Sequence, residues 1–92
     1  ELAPGRCSAA VRHRTVEELW YVVDGEAEMW RCQDGHEEVV VLRPGISLSI
    51  PLGTSFQFRA KGATPFAAVG VTMPPWPGMD EAEFVAGPWR AG

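Results

Sequence analysis

The sequence predicts an all-β domain, a sandwich or barrel of short antiparallel strands, on three observations. Apolar and polar residues alternate at a period of two, as Ile46, Leu48 and Ile50 do against Ser47 and Ser49, the pattern of a strand buried on one face. Turn signals recur at Asp24-Gly25, Asp34-Gly35, Pro44-Gly45 and Pro51-Leu52-Gly53, close to the ~8–12-residue spacing of β-sandwiches and barrels. No apolar pattern of helical period is sustained over the ~10 residues of an ordinary helix.

The elements follow in order. Cys7 to Arg14 is short and β-compatible, and Glu18 to Val23 is dense in aromatic and β-branched residues. It ends at Asp24-Gly25, a strong hairpin signal. Glu26 to Cys32 is the return strand, with Glu26 and Glu28 alternating against Ala27 and Met29. After the Asp34-Gly35 turn, Val39 to Leu42 reads as a buried strand stopped by Pro44-Gly45. Ile46 to Ile50, Phe56 to Arg59 and Pro65 to Met73 complete the series. The remaining segment is too rich in Pro and Gly for regular structure, apart from one helical turn expected over Asp80 to Val85.

Ninety-two residues make one domain. We expect a barrel over about residues 5–75 and a Pro/Gly/Trp-rich C-terminal tail over 73–92. The formal charge is −4, Lys61 is the one lysine and the seven arginines are scattered. Without clustered cations, neither nucleic acid nor a membrane surface is expected as a partner. The first residues, Glu1 to Arg6, contain no basic head or apolar core of a signal peptide. Cys7 and Cys32 have neither metal-pair nor disulfide-framework spacing. Reduced thiols and a cytoplasmic location are the expectation.

Two segments carry a resemblance. Glu18 is followed by LWYVVD and Gly25, and His13 precedes Glu18 by four intervening residues. Gly45, ISLSI, Pro51, Gly53 and Phe56 form a second spaced pattern. Together they resemble the paired motifs of the cupin superfamily, in which His-x-His, Glu and a later His ligate one metal inside a jelly-roll (double-stranded β-helix) barrel. The resemblance implies that fold over about residues 5–75. Glycines at these positions are expected to turn the chain where a β-carbon would clash. Imidazoles plus a carboxylate suit Fe, Mn, Zn, Ni or Cu.

The chain departs from that pattern at the ligands. The first His position is occupied by Val11 and the second-motif His position by Phe56. His13 and Glu18 alone would give a metal two protein bonds, where sites normally have at least three. No cofactor is therefore expected. The alternative is a divalent transition metal on His13 and Glu18. Strand alternation from Glu18 sends Trp20 and Val22 inward, and Phe56 shares a face with Phe58. With Val11, Leu48, Ile50 and Trp76 these form the expected ligand-binding wall around His13 and Glu18, the candidate acid/base pair. Mostly apolar linings with a few convergent polar groups typify small-molecule pockets, although small barrels also fill with side chains. His36, in a turn, and Glu17 are expected to be solvated.

By the same parity Tyr21, Val23 and Trp30 face outward, which points to a covering subunit. Small cupins are commonly homodimers, as the resemblance implies. The tail bearing Trp76 and Trp89 is a lid, a plug or a subunit contact. The favoured reading is a binding module for a small organic molecule. The alternatives are a metal-independent isomerase, epimerase or lyase using His13 and Glu18, and a metal-dependent enzyme with an incomplete ligand set.

Overall fold

Alternating apolar residues between tight turns fold as paired strands in a computed structural model, which describes residues 1–75, 78 and 81–92. Among these residues the strands are β1 (Val11–His13), β2 (Glu17–Asp24), β3 (Glu26–Gln33), β4 (His36–Leu42), β5 (Ser47–Ile50), β6 (Ser55–Lys61), β7 (Ala67–Met73) and β8 (Ala82–Phe84). They form two antiparallel sheets, ordered β4-β3-β6-β1-β8 and β5-β2-β7. The all-β expectation holds; β2, β3, β4 and β6 run one to three residues longer than the segments read from the sequence, and β1, β5 and β7 are shorter.

The sheets face each other across one core. Trp20 and Val22 of β2, Ala27 and Met29 of β3, Leu42, Ile50, Phe56, Ala60 and Phe66 are buried together. Each side chain of Val, Met or Leu size placed there stabilises the fold by about 1.5–3 kcal/mol. The intervening residues of β2, Leu19, Tyr21 and Val23, are exposed, as a period of two requires.

The motif glycines differ in what they do. Gly25 has φ +75°, and a β-carbon there would lie 2.9 Å from Phe66 Cα and closer still to the Pro65 carbonyl oxygen. Gly45 and Gly53 also have positive φ but nothing within 4 Å of a β-carbon. The expected clash is therefore real at Gly25 and absent at the other two, where backbone conformation alone favours glycine.

The C-terminal segment corrects the sequence reading. The described part of the expected helical turn, residues 81–85, is not helical; Ala82–Phe84 is instead a strand antiparallel to β1, with Arg12 opposite Glu83. The Arg12 guanidinium pairs with the Glu83 carboxylate across this register. One isolated helical turn is unstable, whereas pairing satisfies the open edge of β1. The chain then runs over the outer face of the larger sheet. Gln57, fully buried, donates to Ser8 O at 2.9 Å and Trp89 O at 2.8 Å and accepts from Trp89 N at 3.1 Å. The Arg59 guanidinium lies 4.1 Å over the Trp89 ring.

This strap changes the expectation for Trp30. The residue does not need a partner subunit to cover it. It is 7% exposed, donates from Nε1 to Glu37 at 2.8 Å, and lies beside Pro88 and Trp89.

Candidate functional site

The loop joining β1 to β2 sets the distance between His13 and Glu18, and Glu81 anchors it. The Glu81 carboxylate accepts from Thr15 N at 2.5 Å, Thr15 Oγ1 at 2.5 Å and Val16 N at 3.0 Å. Burial pushes the Glu81 carboxyl up, but these hydrogen bonds outweigh it and hold the group below its ordinary range. Glu83 is held low chiefly by the hydrogen bond from Arg12, against desolvation.

His13 ends β1, is 8% exposed, and meets Phe56 edge-to-face with centroids 5.3 Å apart. Its Nδ1 lies 3.7 Å from Glu18 Oε1, an ion-pair separation longer than a hydrogen bond. Val11 stands opposite Phe56 in the β1–β6 register. Residues 11, 13, 18 and 56 therefore converge between the sheets, in the places where the resemblance implies metal ligands. Val11 and Phe56 offer no donor atom, and no group of three His, Cys, Asp or Glu side chains that could hold a metal occurs among the described residues. The donor set does not fit a metal of that type.

Beside this pair lies a cavity of about 170 Å³, lined by Glu18, Trp20, Phe58, Phe66, Ala68 and Gly70, with Glu1 and Leu2. Gly70 is opposite Trp20 in the β2–β7 register. A β-carbon on Gly70 would lie 2.8 Å from Glu18 Oε2 and 3.7 Å from Trp20 Nε1. Glu18 Oε2 thus sits close over Gly70, and Trp20 Nε1 borders the same point at ordinary contact distance. Trp20 is 8% exposed, and its Nε1 has no hydrogen-bond partner among the described residues. An unmade bond at a buried donor costs about 1–3 kcal/mol. A bound acceptor would remove that penalty.

A wider groove of about 670 Å³ lies at the β3–β4 hairpin, lined by Arg31, Gln33, His36, Glu37, Glu38 and Thr54 among others. Several of its polar groups already have protein partners. Arg31 bonds Glu38 and donates to Ser49 O at 2.8 Å, and Glu37 accepts from Trp30. Thr54 Oγ1 is buried there without a hydrogen-bond partner among the described residues. His36 and Glu17 are exposed, as their positions suggested.

Of the residues expected on the lumen wall, Trp20 and Phe58 line the cavity. Val22, Ile50 and Phe56 are packed into the core, and Val11 and Leu48 are partly buried against it. Much of the lumen is therefore filled. Trp76 lies outside the described residues. Phe66, Ala68 and Gly70 were missed, although a glycine inside a strand signals close approach or open space.

The cupin domain model matches residues 1–72. The chain belongs to the cupin family. No curated protein matches it in sequence. Among solved structures, this cupin is similar to a dTDP sugar isomerase from Desulfovibrio desulfuricans G20, at 24% identity and TM-score 0.82, over 92% of this chain and 60% of that one. It is similar to Drosophila melanogaster CENP-C bound to CAL1, at 18% identity and TM-score 0.72, over 77% of this chain and 56% of that one. Bacillus subtilis oxalate decarboxylase, a protein with Mn(II) centres, matches at 20% identity and TM-score 0.67, over 77% of this chain and 22% of that one. The cupin thus spans well under two thirds of each. Identities this low establish the shared fold, and the three differ in function.

Proposed function

We propose that this cupin is a binding module that holds a small, partly apolar organic molecule between its sheets. The observation that carries the reading is a buried Trp20 N–H, without a hydrogen-bond partner among the described residues, placed near Glu18 Oε2 over Gly70. A cavity of about 170 Å³ is close to the ~150 Å³ that accommodates benzene in an apolar protein interior. The test is a screen of ring-sized molecules read by the Trp20 indole N–H resonance. Binders are expected to shift it in the native chain and not in Gly70→Ala, whose methyl group fills the space. Equal shifts in both proteins would refute the reading.

A second reading, proton transfer by His13 and Glu18 in an isomerase, epimerase or lyase, is favoured by their 3.7 Å separation. Against it, the cavity lining contains no Lys, Arg or Tyr among the described residues to stabilise a developing oxyanion. His13→Ala and Glu18→Gln separate the two. A catalyst loses turnover while keeping affinity, and a binder loses affinity.

The partner we propose is a second copy, seated on the outer face of β5-β2-β7. Leu19, Tyr21, Val23, Val69, Val71 and Met73 are each 44–56% exposed there. Leu19 pairs with Val71 and Tyr21 with Val69, giving an apolar centre without charge. A standard interface buries about 800 Å² per partner around such a centre, and a two-fold axis would set the patch against itself. Light scattering is expected to give twice the chain mass, and the mass of one chain for Val71→Arg. A native monomer at ~50 µM, in the micromolar range where weak association is measured, refutes the contact.

A further inference from the structure

The chemistry of the cavity lining selects among small molecules. We infer that the ligand is a compact organic cation, an ammonium with a hydroxyl or carbonyl oxygen beside it; this rests on the lumen-binding reading above. Among the described residues three aromatic rings line the space. Trp20 and Phe58 meet edge-to-face with centroids 4.9 Å apart, and Phe66 lies 6.0 Å from Phe58 and 6.2 Å from Trp20. Ring faces carry negative charge density and attract cations, most strongly where water is excluded.

The titratable side chains of the lining point the same way. Among the described residues they are the carboxylates Glu18 and Glu1, with no Lys, Arg or His side chain in the lining. An acid entering it would meet the like charge of these carboxylates. A cation would meet Glu18 Oε2, the oxygen turned toward Gly70, while Oε1 faces His13. The charge alone leaves Trp20 unsatisfied, because an ammonium only donates. Nε1 needs an acceptor, and it flanks the same point above Gly70 as Glu18 Oε2 does. A lone hydroxyl can serve both atoms; when the group on Glu18 is an ammonium, the acceptor for Trp20 sits on a neighbouring atom of the ligand, as in a vicinal amino alcohol or an amino ketone. The cavity admits roughly one six-membered ring.

Three probes of one shape isolate the charge: 2-aminocyclohexanol, 1,2-cyclohexanediol and 2-hydroxycyclohexanecarboxylate, titrated at pH 7 by calorimetry and by the Trp20 indole resonance. The amino alcohol is expected to bind at least 10-fold more tightly than the diol, and the carboxylate more weakly than both. Glu18→Gln, close in shape, is expected to erase the preference for the amine while keeping diol binding. Trp20→Phe, followed by calorimetry, is expected to weaken both the amine and the diol. If the diol or the carboxylate binds the native protein as well as the amine, the cationic assignment fails and lumen binding stands. If no probe moves Trp20, or if Gly70→Ala binds the amine as the native chain does, both readings fail.

Discussion

Gly25→Ala and Gly53→Ala compare two glycines with the same sign of φ and different surroundings. Both residues occupy left-handed backbone, at φ +75° and +83°, where a β-carbon costs about 1–2 kcal/mol. The alanine also reduces unfolded-state freedom, which offsets about 0.4–1 kcal/mol of that at either site. At Gly53 nothing lies within 4 Å of the added atom, so the net loss is about 0.5–1.5 kcal/mol. At Gly25 the added atom is driven against Pro65 O and Phe66 Cα. These are backbone atoms that cannot rotate away, and overpacking adds about 1–3 kcal/mol. The expected loss there is roughly 2–4 kcal/mol. At about 4–8 °C per kcal/mol for a domain of this size, Tm should fall by roughly 10–30 °C for Gly25→Ala and by under about 12 °C for Gly53→Ala. Thermal unfolding followed by circular dichroism measures both. Equal losses would show that backbone conformation alone decides, and that the contact of Gly25 with the Pro65-Phe66 segment contributes nothing.

Other substitutions probe the strap and the loop. Gln57→Leu leaves the amide and carbonyl of Trp89 and the carbonyl of Ser8 without their partner. Ser8 and Trp89 are half-buried, so each of the three groups counts near the low end of the ~1–3 kcal/mol cost of an unpaired group, and a loss of roughly 3–4 kcal/mol is expected, together with early proteolytic release of the last residues; an intact tail in that variant contradicts the clamp. Gly87→Ala places a methyl 2.6 Å from Ala10 Cβ and should cost about 1–3 kcal/mol, measured by urea unfolding. Glu81 and Glu83 have folded-state pKa values below their ordinary ones. Their stabilisation is therefore complete above the unfolded carboxyl range and is lost as pH falls through the folded values. Tm should drop between pH 5 and pH 3, more shallowly in Glu81→Gln; an unchanged slope in that variant sinks the assignment.

The strands and the meeting of His13 with Glu18 were legible because alternation and turn chemistry are local properties. The spacing of the two motifs fixed which residues would converge, including Val11 and Phe56. What escaped notice depends on distant partners. Ala82–Phe84 is a strand because β1 offers it an edge, and nothing in its own composition requires this. Parity placed Trp30 on the outer face but could not reveal that Pro88 and Trp89 cover it. The lumen wall was read from residues that are present, whereas the cavity borders a position, Gly70, that carries no side chain. Val22, Ile50 and Phe56 point inward as expected, yet they touch one another in the core.

The strap held by Gln57 makes the two flanks of the molecule unequal. It shields the middle of the larger sheet and leaves the edge valines Val39 and Val41 bare, while the smaller sheet keeps a continuous greasy flank. A body with one sticky side closes after pairing once, whereas a body with two can stack without limit. Peeling the strap away would bare a second such side around Trp30. The tail's contribution is then colloidal as well as structural, and its loss should show first as fibres or precipitate.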